Sequence, residues 1–134
     1  MTTIINASPS NGIVQTADGS GVMKLQSNGV TTNALAWVYF NGTTGAVTAA
    51  YNVGSVTRNS TGTYTLNFTN TLSDANYAWT VAYKQNSVGT FINSVAELAR
   101  TTSTLQVAAS VITGPAGGNG PYDLPTVSMT VFGN

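Results

Sequence analysis

At 134 residues the chain has the length of a single domain, enough to bury a core. Only 6% of its residues are charged, four Lys/Arg against four Asp/Glu, and it contains neither Cys nor His; ordinary soluble domains carry about 25% charged residues. These counts exclude disulfides, imidazole or thiolate sites for metals, and a basic stripe for nucleic acid, whose about six to ten phosphate contacts outnumber the cations present.

Residues 1–33 hold only short apolar clusters, Ile4-Ile5, Ile13-Val14 and Val22-Met23 with Leu25, set among Ser, Thr, Asn and Gly. Ordering one residue costs roughly 1–2 kcal/mol of backbone entropy, and burying one Leu or Val returns about 1.5–3 kcal/mol, so these clusters cannot close a core alone. Asp18-Gly19 suits a hairpin turn between Ile13-Val14-Gln15 and Val22-Met23-Lys24-Leu25. Two readings of this stretch stand. One is an extended assembly arm, 1–33, in which Ile4, Ile5, Ile13, Val14, Val22 and Leu25 are covered by neighbouring subunits; the other is an ordinary first hairpin of the same domain. The N-terminus lacks the basic start and apolar centre of a signal peptide, and no apolar run of about 18 residues occurs to span a bilayer. The expectation is a complete chain made in a cytoplasm, with no membrane partner.

The body, 34–134, opens with Ala36-Trp37-Val38-Tyr39-Phe40, apolar on both faces of a strand. That pattern predicts an inner strand covered on both sides. After the turn Asn41-Gly42-Thr43-Thr44-Gly45 comes a run from Val47 to Val53, then a hairpin. Val56-Thr57-Arg58-Asn59 and Thr63 to Phe68 flank Ser60-Thr61-Gly62, whose Gly suits a left-handed position. Leu72-Ser73-Asp74-Ala75-Asn76 reads as a tight corner. Tyr77, Trp79, Val81 and Tyr83 then alternate with small or polar residues, the clearest period of two in the chain. Phe91 to Val95, Thr104 to Val111 and Thr126 to Phe132 are further strands, and Val95 to Arg100 is one helical turn or a strand. Gly114 to Tyr122 has Gly at every third position for three triplets, too few for a collagen-like helix; it reads as a long loop. Its length makes Asn119, Tyr122 and Asp123 candidate partner contacts. The fold class these elements predict is all-β, an antiparallel β-sandwich or jelly-roll-like body behind an extended arm.

No motif in this sequence carries catalysis. Without His or Cys, only a Ser-Lys arrangement would supply a nucleophile, and Lys24 and Lys84 have no accompanying motif. A carboxylate pair for glycoside hydrolysis would have to come from Asp18, Asp74, Glu97 and Asp123, of which Asp18 and Asp74 sit at turn positions. No acidic loop of calcium spacing occurs, so no metal, cofactor or catalytic residue is assigned. The alternating aromatics, Trp37 and Trp79 included, read as core, with Tyr122 as the exposed exception.

Ala36 to Thr43, Ser55 to Asn59 with Gly62 to Phe68, Asp74-Ala75-Asn76-Tyr77-Ala78 and the final Val131-Phe132-Gly133 together resemble a β-rich module of tailed-phage virion proteins, cyanophages among them. The stretch from Ser10-Asn11-Gly12 to Gln26-Ser27-Asn28-Gly29 is similar to segments that precede it there. The module more often has Asn where this chain has Tyr39, and the 114–125 loop is individual to this chain. The resemblance implies a homotrimer on the virion exterior, a non-enzymatic capsid decoration or cement protein docked on the major capsid protein. Its alternative is the receptor-binding tip of a short tail fibre, contacting a fibre or tail component and a host-surface glycan through the 114–125 loop. Either would leave the host cytoplasm by lysis.

Overall fold

Side chains along the main strands alternate between buried and exposed, and that alternation sets the architecture. The computed structural model of the chain describes residues 26–27, 30–31, 33–84, 90–113 and 119–133. Among these, eleven strands form: β1 Gln26–Ser27, β2 Val30–Thr31, β3 Ala34–Phe40, β4 Val47–Tyr51, β5 Val53–Ser60, β6 Thr63–Phe68, β7 Ala78–Lys84, β8 Thr90–Arg100, β9 Thr104–Thr113, β10 Asn119–Pro121 and β11 Thr126–Phe132. Every pairing is antiparallel. One sheet runs β4-β3-β11-β7. In the other, β9 has β8 along one edge and β6 followed by β10 along its opposite edge, with β5 outside β6.

The two sheets make a β-sandwich. Val38 and Phe40 of β3 and Val127, Met129 and Val131 of β11 face Tyr64, Leu66 and Phe68 of β6 and Leu105, Val107 and Ala109 of β9, all buried in one cluster. At about 1.5–3 kcal/mol for each large side chain removed from water, this cluster is the main force holding the sheets together. Edge-on ring pairs, Phe40 with Tyr64 and Phe68 with Tyr77, lock it across the layers.

The turn residues behave as their chemistry requires. The Asn41 side chain accepts from the N–H groups of Thr43 and Thr44, and Gly45 takes φ 77°. Gly62 takes φ 72° in the β5-β6 hairpin, where Ser60 still pairs with Thr63. Gly42 serves for a different reason, since a Cβ there would collide with the Leu124 carbonyl oxygen and come within 2.8 Å of the Tyr64 hydroxyl.

Three expectations change. First, β3 is covered on one face only: Val38 and Phe40 point inward, whereas Trp37 and Tyr39 stand at about 40% exposure on the outer face of their sheet. A run apolar on both faces does not say how many layers cover it. Second, the stretch beginning at Gly114, read as a loop, ends in the strand β10. β9 outruns β6, leaving the backbone groups of Ser110 to Ile112 to be paired, and Asn119–Pro121 pairs them. Third, Tyr122 is half-buried against the core and not an exposed aromatic. Val95 to Arg100 resolves to strand, because β9 offers it a complete ladder.

The arm residues Ile4, Ile5, Ile13, Val14, Val22 and Leu25 and the Asp18-Gly19 turn lie outside the described residues. Within 1–33 the described structure is the short β1-β2 ladder, Gln26 with Thr31 and Ser27 with Val30. The intervening sequence is Asn28-Gly29, the dipeptide that two-residue hairpins favour.

Candidate functional site

Three polar or aromatic groupings rise from this frame, and two of them point inward. At one end of the sandwich the Asp123 carboxylate is gripped from three sides. Arg58, on β5, donates from Nε to Oδ1 at 3.0 Å and from Nη2 to Oδ2 at 2.6 Å; the Gly62 N–H reaches Oδ1 at 2.8 Å and the Tyr64 hydroxyl the same oxygen at 3.2 Å. The Tyr64 oxygen in turn accepts from the buried Leu124 N–H at 3.1 Å. Burial raises the Asp123 pKa, but the Arg58 guanidinium and the Gly62 N–H outweigh it, and the carboxylate ends below its ordinary value of 3.8. Burial pushes the Tyr64 phenol up to about 12, helped by the neighbouring Asp123 charge. The segment 122–125 is thereby tied to the β5-β6 hairpin.

The second grouping joins the two sheets. Glu97 of β8 accepts Trp79 Nε1–H at 2.8 Å and forms a two-armed pair with Arg100, whose Nη1 also donates to the Tyr77 carbonyl at 2.6 Å. The guanidinium stacks 5.3 Å from the Tyr77 ring centre, and the Tyr77 hydroxyl donates to the Thr104 carbonyl at 2.9 Å. The bond from Arg100 is the main cause that lowers the Glu97 pKa. Asp74 accepts the Asn76 N–H at 2.6 Å, a local turn bond. Glu97 and Asp123 therefore each face an arginine, and Asp74 faces its own backbone.

The third grouping faces out. On the sheet β4-β3-β11-β7, cross-strand register places Tyr51, Trp37, Thr130 and Thr80 in one outer row and Ala49, Tyr39, Ser128 and Ala82 in the next. Trp37, Tyr39 and Tyr51 are 39%, 41% and 40% exposed. Phe132 extends the same face at the end of β11. Lys84, in the following row beside Thr126, is the one described charge there.

Of the residues singled out in the sequence as partner contacts, Asp123 has its carboxylate directed into the fold and Tyr122 lies half-buried, its N–H bonded to the Ala109 carbonyl at 3.1 Å. Asn119 is placed on β10, paired with Ile112. The structure instead assembles Trp37, Tyr39 and Tyr51 into one surface. The available signal was the apolar outer phase of β3, Trp37 and Tyr39, together with Tyr51 on the strand that follows the six-residue connection 41–46. No protein-family model, curated protein or solved structure matches the chain.

Proposed function

We propose that the chain is a non-enzymatic structural protein of a tailed-phage virion, a homotrimeric decoration or cement protein on the capsid exterior. The observation that carries this reading is the neutrality of the body: Arg58 and Arg100 are consumed by Asp123 and Glu97, so the sandwich offers few charges to proteases or to charged partners. The resemblance to phage modules supports it. Residues that carry the resemblance, Asn41, Gly42, Arg58, Gly62, Tyr64 and Tyr77, are those that close the turns and clamp the sheets in this body. In this role the 1–33 arm holds the shell, and the partners are two further copies and the major capsid protein.

The second reading, a receptor-binding fibre tip, is favoured by the exposed aromatic face. Antibodies raised against residues 34–134 separate the two. Purified tailed particles labelled over the head support decoration, labelling confined to the tail supports the tip, and recovery of the chain only from the particle-free fraction contradicts both.

A further inference from the structure

We infer that the outer face of the sheet β4-β3-β11-β7 is a binding platform for a neutral polysaccharide, with Trp37, Tyr39 and Tyr51 as the stacking residues. This rests on the exposed face alone and not on the virion reading. Trp37 and Tyr39 are two residues apart on one strand, a spacing of about 6.6–6.8 Å, and Tyr51 lies opposite Trp37 on the next strand at about 4.5–5.5 Å. Three rings thus form one ridge along β3 and β4.

Beside the ridge, β11 and β7 present only short side chains in the same two rows, Thr130 and Thr80, then Ser128 and Ala82. Their shortness makes a low shelf carrying hydroxyls. The chemistry of a sugar ring fits this step. One face of a pyranose is lined with C–H groups, which are attracted to the negative face of an aromatic ring, while its rim carries hydroxyls that both donate and accept, as Ser and Thr do.

Charge and area choose the occupant. Lys84 stands at a corner of the face, two strands from β3, and no other described residue of the face is charged, so an acidic polymer would find little counter-charge. A second copy of the chain would need about 800 Å² per partner for a stable interface. The four exposed aromatics of this face, Trp37, Tyr39, Tyr51 and Phe132, each at about 40% exposure, offer on the order of 300 Å², well under half of that and no more than the largest apolar patch of an ordinary monomer. That area suits a few sugar rings.

The test is native gel electrophoresis of the full chain through gels cast with dextran, mannan, galactan or mixed-linkage β-glucan, with hyaluronan as the acidic comparison and sedimentation velocity in parallel. At least one neutral polymer should retard the protein, and Trp37→Ala or Tyr39→Ala should weaken that binding about tenfold or more. If Trp37→Ala does not fold, Tyr39→Thr, which keeps strand preference, reads the same contact. Tyr83 supplies the control, since it is 41% exposed but shares the inner phase of Val127 on the opposite side of the sheet. Tyr83→Ala should bind as the parent does. Free migration in every neutral gel, retardation by hyaluronan alone, or an equal loss in Tyr83→Ala would overturn the proposal. So would a fall in sedimentation coefficient on Trp37→Ala, which would assign the face to a second copy.

Discussion

Asp123 and Tyr64 form one unit, and each should leave its mark at its own end of the pH scale. A lowered carboxylate pKa stabilises the fold above the ordinary value of 3.8 and loses that contribution as pH falls through the folded-state value. Asp123→Asn should therefore cost about 1–3 kcal/mol at neutral pH, and the deficit should shrink in urea melts run progressively below pH 4. Tyr64 has the opposite sign. Its raised pKa leaves the folded protein holding a proton that the unfolded chain has released, so stability declines between pH 10 and about 12. That decline is on the order of 2 kcal/mol, and Tyr64→Phe should remove it while costing about 1–2 kcal/mol at pH 7 for the orphaned Leu124 N–H. Gly42→Ala should be strongly disruptive, because the new carbon meets a backbone carbonyl that cannot swing aside. A loss of about 2–3 kcal/mol or more is expected, read as a lower urea midpoint at unchanged slope.

Among elements, the crossing from β4 to β5 is the first of the passages between the two large sheets, and Asn52 makes it at φ 55°. Its amide donates to the carbonyls of Leu35 and Asn70 and its oxygen accepts the Asn70 N–H, so three bonds fix the corner. Asn52→Gly should relax the backbone but lose those bonds, while Asn52→Ala should lose both, leaving Ala about 1 kcal/mol the less stable in thermal melts. The strands themselves were largely legible in the sequence. Tyr64, Leu66 and Phe68 declare a buried face, Tyr77 to Tyr83 declare a strand, and Gly62 declares its hairpin. β10 was not legible, because Gly120 and Pro121 speak for a loop and only the unpaired edge of β9 recruits them. The aromatic face was hidden for a related reason: periodicity identifies the two faces of β3 but not which of them is covered. The Arg58–Asp123 clamp joins residues far apart in the chain, a distance no local pattern crosses.

For the whole molecule, neutrality and ladder pairing together predict how proteases see it. Arg58 and Arg100 lie on paired strands with their guanidinium groups in ion pairs, whereas Lys84 ends β7. Limited trypsin treatment of the folded chain should therefore leave the bonds after Arg58 and Arg100 intact while the exposed Lys84 is open to cleavage, the products being identified by mass spectrometry. Early cleavage after Arg58 would show that the Asp123 clamp opens in solution. The proposed role is that of an assembled virion subunit, and its most direct test is the mass of the full chain by sedimentation equilibrium at micromolar concentration. Three times the chain mass of 13.8 kDa is the expected result, and a stable folded monomer would contradict the trimeric decoration reading.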